Sequence, residues 1–197
     1  MANKKKEQQR LESTKKYIDE LSEKYSKLNI IRVDLGYKKP HSDEIGLAEA
    51  NRDINHMMSN RRSKPSIFEH QVGYTIKREY TEDKGIHIHA VIIYDGQKVR
   101  NGAHKGDQIS EYWEQITEKK GSAHNCNRNT YTRNGIGMLD HRDNEKRKIL
   151  DEDVISYLTK DEQSVDSMKE KKRGRAFTRG SIPKNSKGNK GRPRGGK

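Results

Sequence analysis

The sequence has few features of a secreted or membrane protein. It contains a single cysteine, Cys126, so no disulfide can form within the chain, and we expect a reducing compartment. No apolar run approaches the roughly 18–20 residues that a membrane-spanning helix needs. The first ten residues, MANKKKEQQR, lack the apolar segment of a secretory signal. The sequence therefore predicts a cytoplasmic protein without a membrane segment.

Apolar residues are scarce throughout, and acidic residues are scarce near the C-terminus. Apolar residues make up 28% of the 197 residues, which suits one domain with extensions. Residues 166–197 hold twelve Lys or Arg, two Asp or Glu and six glycines, a net charge of +10 out of +13. We expect a disordered basic tail there, which binds phosphate backbones without reading sequence. A purely solubilising tail is the alternative.

The rest of the chain is a succession of amphipathic segments. Apolar residues in alternation indicate strands, and apolar residues three or four apart indicate helices. The predicted order is helix 7–28, strand 29–37, helix 46–62, strand 66–80, strand 85–96, helix 107–118, strand 135–141 and helix 150–163. This order favours an α+β fold, a compact antiparallel sheet with helices packed mainly on one face. We divide the chain into an N-terminal amphipathic helix (1–28), a domain (29–165) and the tail (166–197).

Strands 66–80 and 85–96 predict a hairpin centred near Asp83, in which residue i pairs with residue 166 minus i. One face of this hairpin is apolar, with Phe68 at its start and the predicted pairs Val72–Tyr94, Tyr74–Ile92 and Ile76–Ala90. On the other face Glu79 lies opposite His87, and Lys77 lies opposite His89. A slip of one residue would place apolar side chains opposite polar ones, so the pattern itself favours this register.

Glu79, His87 and His89 form a candidate metal site on the polar face of the hairpin. Directly paired side chains lie about 4.5–5.5 Å apart at Cβ, and residues two apart on a strand point the same way. Two imidazoles and a carboxylate can bind a divalent metal and leave coordination positions open. The alternative is that His87 and His89 are ordinary half-exposed strand residues.

The last predicted helix carries a candidate nucleophile at the edge of its apolar stripe. Leu150, Val154 and Leu158 recur every four residues, Tyr157 borders them, and Lys160 lies one turn further along. If this helix packs on the histidine face, the Tyr157 hydroxyl points toward the metal site. The alternative is an amphipathic edge residue beside a solvated lysine.

Other residues are less specific. His124, Cys126 and His141 could suggest zinc, but their spacing matches no zinc-finger pattern, and a loop with one free thiol is the simpler interpretation. Trp113 lies at helical spacing with apolar neighbours, and we expect it in the core.

The motifs resemble those of HUH endonucleases. His87-Ile-His89 resembles the paired-histidine motif of that superfamily, Tyr157-Leu-Thr-Lys160 resembles its tyrosine motif, and Glu79 stands where many replication initiators place a third ligand. More narrowly, residues 30–163 resemble the inovirus-type replication initiator family, also described as the YagK/YfjJ C-terminal domain. The helix before this range and the tail after it lie outside the resemblance.

The resemblance implies an RRM-like sheet of four to five strands and a nicking and joining activity on single-stranded DNA in rolling-circle replication. It implies a Mg²⁺ or Mn²⁺ site at Glu79, His87 and His89, and attack by Tyr157 to give a 5′-phosphotyrosine, with Lys160 stabilising the phosphate. The implied partners are origin single-stranded DNA and a host helicase and polymerase. A single tyrosine on this helix implies a one-tyrosine mechanism.

Two other functions are weighed against this one. A non-catalytic DNA-binding protein of prophage origin would keep the fold and the basic tail, but it has no need for Glu79, the two histidines, Tyr157 and Lys160 together. A primase-like enzyme would need a cluster of acidic metal ligands, and the first strand offers only Asp34.

Overall fold

One antiparallel sheet organises residues 2–160, 165 and 176–181, which the computed structural model describes. In this part of the chain the sheet has six strands. They are β1 (Lys27–Tyr37), β2 (Gln71–Thr81), β3 (Gly85–Asp95), β4 (Gly121–Asn125), β5 (Gly137–Asp140) and β6 (Phe177–Arg179). The order is β4-β1-β3-β2-β6, and β5 also pairs with β1, along its first four residues. Strand β1 therefore lies between β3 and two short strands.

The helices connect these strands and flank them. They are α1 (Ala2–Lys24), α2 (Leu47–Ser59), α3 (Pro65–Phe68), α4 (Gly102–Ile116), α5 (Asn144–Ile149) and α6 (Ser156–Thr159). A π-helical segment, Leu150–Ile155, joins α5 to α6 without a break, and we call residues 144–159 the final helix. No helix in the described ranges is long and apolar enough to cross a membrane.

The predicted α+β class with an antiparallel sheet is confirmed, but the sheet has six strands in the described residues and not the expected four to five. Apart from the one-turn helix α3 before β2, the succession β1–α2–β2–β3–α4–β4 with strand order β4-β1-β3-β2 is a β-α-β-β-α-β arrangement, as an RRM-like sheet requires. Helices α2 and α4 bury Ile54, Met57 and Trp113 against the face of β3 that carries Ile88 and Ile92.

The expectation that helices pack mainly on one face is wrong. Helix α1 and the final helix cover the reverse face of the sheet, where Leu21 and Leu158 pack with Val91 and Ile93 of β3. The physical reason lies in β3, which is apolar on both faces after His89. The apolar side chains on its reverse face are shielded from water only if a second layer of helices packs on them.

The predicted hairpin register holds from Gly73 to Thr81. Tyr74 pairs with Ile92, Ile76 with Ala90, and Glu79 with His87. Before Gly73 an irregularity in β2 shifts the register, so Gln71 pairs with Tyr94 and the predicted Val72–Tyr94 pair is wrong. Phe68 belongs to the helical turn α3 that starts at Pro65, and not to the strand.

The predicted tail is partly ordered. Phe177–Arg179 form β6, which pairs with Thr75–Lys77 at the edge of β2, and Ala176 is buried in the core. The expectation of disorder is wrong for these residues. Residues 166–175 and 182–197 lie outside the described residues, as do residues 161–163 at the predicted end of the last helix.

Replacement of Ile92 by alanine tests the α2–α4 layer. Ile92 is fully buried between the sheet and these helices, so Ile92→Ala should lower the free energy of unfolding by about 2–5 kcal/mol. Ile92→Val should cost about 0.5–1.5 kcal/mol. Urea denaturation followed by circular dichroism measures both. Equal, small losses would contradict the packing of this layer.

Candidate metal centre and nucleophile

The β2–β3 hairpin places three candidate ligands on the reverse face of the sheet. Glu79 is directly opposite His87, and Lys77 is directly opposite His89. Because side chains alternate along a strand, all four point to the side that carries α1 and the final helix. Glu79 is 1% exposed and His89 is 7% exposed. The predicted grouping of Glu79, His87 and His89 is therefore correct.

The three residues converge on a single carboxylate oxygen. Glu79 Oε2 lies 3.2 Å from His87 Nε2 and 2.9 Å from His89 Nε2. One ligand atom from each residue lies within 4.8 Å of the other two. This donor set of two nitrogens and one oxygen, gathered around one point, fits a divalent cation with open positions for substrate oxygens.

The far side of each imidazole is fixed by an acceptor. His87 Nδ1 lies 3.2 Å from the carbonyl oxygen of Gly85, and His89 Nδ1 lies 2.7 Å from Asp34 Oδ1. Neither oxygen can donate, so each Nδ1 donates to it. Each Nε2 points to Glu79 Oε2 and is the ring atom that a metal would bind once unprotonated. Gly85 has a φ of +67°, a conformation that favours glycine.

The electrostatics of the cluster favour ionised carboxylates. Burial opposes the charge on Glu79, but hydrogen bonds from His87, His89 and Lys77 outweigh it and hold the pKa of this carboxyl far below its usual range. The pKa of Asp34 falls to about 2, since the contacts with His89 and Arg32 outweigh its burial. Burial lowers the pKa of His89, but its contacts with Asp34 and Glu79 outweigh burial and raise it.

The sequence suggests Asp34 only as a primase-type ligand and does not predict its position behind His89. It lies on β1, directly opposite His89 of β3. The Arg32 guanidinium holds its carboxylate through contacts of 3.2 and 3.3 Å. A carboxylate behind a metal-binding histidine fixes the ring and strengthens the ligand. The sequence indicates which positions of β1 are polar, but it does not indicate that β1 pairs with β3.

The final helix brings Tyr157 to this cluster. Leu150, Val154 and Leu158 are buried in the reverse-face core, and Tyr157 lies partly buried at its edge. The Tyr157 hydroxyl donates to Glu79 Oε2 at 3.0 Å and lies 3.1 Å from His89 Nε2. Burial and the Glu79 charge raise the pKa of this phenol above its ordinary value. A nearby cation would therefore help to ionise it.

Lys77, and not Lys160, contacts the cluster. The buried Lys77 ammonium pairs with Glu79 Oε1 and donates to the Tyr157 carbonyl oxygen at 3.2 Å. It also lies 4.9 Å from the centroid of the Tyr157 ring. Lys160 follows the end of α6, with an exposed side chain, and its role stays a prediction.

The weaker candidates do not join a site. Across the described ranges, Glu79, His87 and His89 are the group that could hold a metal ion; His124, Cys126 and His141 form none. Burial raises the pKa of the Cys126 thiol to about 11. Trp113 is fully buried, as predicted, and donates to the carbonyl oxygen of Gly36.

Comparison with known proteins identifies the family and little else. The model of the YagK/YfjJ C-terminal domain matches residues 1–180, a range wider than the predicted 30–163 that takes in α1 and β6. No curated protein and no solved structure matches the chain. Since the match covers most of the sequence and all the residues of the candidate site, the chain belongs to the YagK/YfjJ C-terminal domain family.

Proposed function

We propose that this protein is a metal-dependent HUH-type endonuclease that nicks and rejoins single-stranded DNA through Tyr157. Its biological role would be initiation of rolling-circle replication of a phage, prophage or plasmid in the cytoplasm, with a host helicase and polymerase. One observation carries the proposal. The Tyr157 hydroxyl lies 3.0 Å from Glu79 Oε2 and 3.1 Å from His89 Nε2, so a nucleophile touches two candidate metal ligands.

The donor set supports Mg²⁺ or Mn²⁺ as the metal, since phosphate oxygens from the substrate would fill the open positions. His87 Nε2, His89 Nε2 and Glu79 Oε2 would hold it. A divalent cation at this point would polarise the scissile phosphate and stabilise the charge that develops on it. Asp34 and the Gly85 carbonyl would keep both imidazoles in position.

The reaction follows from the placement of the Tyr157 hydroxyl. Attack of its oxygen on phosphorus forms the tyrosine–phosphate bond and breaks the bond from phosphorus to the 3′ oxygen. Glu79 Oε2 orients the hydroxyl through their hydrogen bond, the phenolic proton passes to solvent as the bond to phosphorus forms, and a proton from solvent completes the released 3′-hydroxyl. Because the covalent intermediate retains the phosphodiester energy, the reverse step rejoins the strand.

Two cations near Tyr157 would support the step. Lys77 and Arg32 lie 4.9 and 5.3 Å from the centroid of its ring. Lys77 also ties Glu79 to the end of the final helix through the Tyr157 carbonyl oxygen. We assign Lys77 a positioning role, and Lys160 the predicted contact with the substrate phosphate.

Incubation with labelled single-stranded DNA and Mn²⁺, followed by a denaturing gel, tests the proposal. We expect a covalent protein–DNA adduct that disappears with EDTA. A protein that binds DNA and forms no adduct on any of a randomised pool of strands would favour the second candidate, a non-catalytic DNA-binding protein. The observation behind that candidate is the basic C-terminal segment.

Removal of residues 182–197 tests the contribution of the basic segment to affinity. These residues carry six Lys or Arg and no acidic residue, and the cut leaves β6 in place. We expect weaker binding on all sequences and a smaller salt dependence, by roughly 0.7 in the slope of log affinity against log salt per lost contact. The adduct at saturating DNA should persist.

The matched control keeps the length of this segment and replaces its six basic residues by glutamine. Fluorescence anisotropy at several salt concentrations measures both variants. An unchanged salt slope would show that the segment does not contact phosphates. A truncated protein that binds but no longer selects its nicking site would show that the segment reads sequence.

A further inference from the structure

A small cavity lies beside Arg32, a neighbour of the proposed nucleophile. Arg32, Tyr131, Arg133, Ile136 and Val154 are among its lining residues. Arg32 lines the cavity and also contacts the proposed nucleophile, because its guanidinium lies over the Tyr157 ring. The Tyr157 hydroxyl does not reach the cavity lining and instead contacts Glu79 and His89. A strand that reaches Tyr157 would therefore come close to Arg32, which lines this cavity.

Tyr131 presents an aromatic ring to solvent at this cavity. In the part of the chain that the structure describes, the exposed large hydrophobic side chains are Tyr131, at 39%, and Tyr80, at 37%. The Tyr131 hydroxyl donates to the carbonyl oxygen of Cys126 at 3.1 Å and accepts from Asn129 Nδ2 at 3.3 Å. These bonds fix the ring at one end, and 39% of the side chain stays exposed to a stacking partner.

The arginines of the cavity are already charge-compensated. Arg32 pairs with Asp34 at 3.2 Å, and Arg133 contacts Glu152 at 2.6 Å and Asp153 at 3.5 Å. With three carboxylates for two guanidinium groups, the cavity does not favour a phosphate. A neutral, flat ligand with donors and acceptors on its edge suits it better, because tyrosine rings and guanidinium planes both stack on nucleobases.

We propose that this cavity binds one nucleobase of the DNA strand, stacked on Tyr131 beside the scissile phosphate. This inference rests on the proposed function, which makes single-stranded DNA the substrate. It adds a contact with a base to a site whose other proposed contacts are with a phosphate. Arg32 links the two, since it contacts Asp34, the Tyr157 ring and the cavity. Tyr131 is thereby a binding residue, and its hydroxyl is not the nucleophile.

The test compares binding of two oligomers of about 12 nucleotides, an oligothymidylate and its counterpart with abasic sugars throughout. Both carry the same phosphates, so the ratio of their dissociation constants reports contacts with bases alone. The full chain with Tyr157→Phe, in EDTA, prevents cleavage. Fluorescence anisotropy measures the ratio for this protein and for the same protein with Tyr131→Ala, Tyr131→Phe or Tyr80→Ala.

We expect Tyr131→Ala to lower the preference for the oligomer with bases about tenfold, within a range of roughly 5- to 100-fold for one stacked base. Affinity for the abasic oligomer should not change. Tyr131→Phe should keep most of the preference, because it keeps the ring. Tyr80→Ala, which removes the other exposed tyrosine, should keep all of it.

A preference that Tyr131→Ala does not alter overturns the proposal. Equal weakening of both oligomers overturns it too, because that result indicates phosphate contacts or a disturbed fold. Loss of the preference in Tyr131→Phe as well as in Tyr131→Ala would assign the effect to the hydroxyl and not to stacking. Adduct formation by the protein with an intact Tyr157 is a separate measurement, so failure of the nicking function and failure of the base site give different results.

Discussion

Tyr157→Phe is expected to abolish the covalent protein–DNA adduct, by roughly 10³-fold or more, while DNA binding stays nearly intact. The variant removes one oxygen, the atom that lies 3.0 Å from Glu79 Oε2 and 3.1 Å from His89 Nε2. The ring remains in place, and with it the packing of the final helix and the contacts with Lys77 and Arg32. A denaturing gel with labelled DNA measures the adduct.

Tyr80→Phe is the matched control, because Tyr80 is an exposed tyrosine of β2 and next in sequence to a proposed ligand. Its adduct should equal that of the unmodified protein. Mass spectrometry of the digested adduct should locate the nucleotide on the peptide that contains Tyr157. An undiminished adduct in Tyr157→Phe would place the nucleophile on another residue and leave the cluster without its proposed partner.

The candidate site could be predicted in large part because its centre is local. Glu79 and His87 belong to strands joined by a turn of three residues, and alternation of apolar and polar side chains determines how those strands pair. The placement of Tyr157 needed one further assumption, that the final helix covers the histidine face. The apolar residues Val91 and Ile93 on that face supported the assumption, and both pack with this helix.

Asp34 and Arg32 could not be placed in the same way. Their neighbour is β3, more than fifty residues further along the chain, and no turn fixes that pairing. From Arg32 onward, strand β1 alternates buried apolar residues with Arg32, Asp34 and Gly36, but that pattern does not determine which strand lies beside it. The support behind His89 and the wall of the Tyr131 cavity therefore emerge only from the assembled sheet.

The errors at the ends of the hairpin and in the tail have local causes. A register shift at Gly73 turns Val72 toward the reverse-face core, which a regular alternation cannot predict. In the predicted tail, a prediction from average composition overlooks the short apolar stretch at Ala176 and Phe177. Ala176 is buried and Phe177 is partly buried, while the backbone pairs with the edge of β2. The free donors and acceptors of a sheet edge favour an added strand.

His87→Ala is expected to weaken metal binding by at least about 10- to 100-fold and to remove metal-dependent cleavage. His87 is the clearest ligand to change, because its contacts are Glu79 and the Gly85 carbonyl. Glu79 is a poorer choice, since its loss would leave the buried Lys77 ammonium without its carboxylate and destabilise the fold. Titration calorimetry with Mn²⁺ measures affinity. His56→Ala, on the exposed side of α2, should behave as the unmodified protein.

Asp34→Asn distinguishes a metal site from a merely hydrogen-bonded cluster. Asp34 is not among the three ligands, but it holds His89 Nδ1 at 2.7 Å, so a metal site should lose affinity by roughly 10-fold while keeping its ligands. Arg32 would also lose its ion-pair partner, so thermal unfolding in EDTA must be compared with that in Mn²⁺. We expect Mn²⁺ to raise the melting temperature of the unmodified protein most, that of Asp34→Asn less and that of His87→Ala not at all. That result would show that the cluster binds metal through His87 and that Asp34 orients His89. If Mn²⁺ stabilises none of them, Glu79, His87 and His89 form a buried hydrogen-bonded network, and the nicking proposal loses its metal.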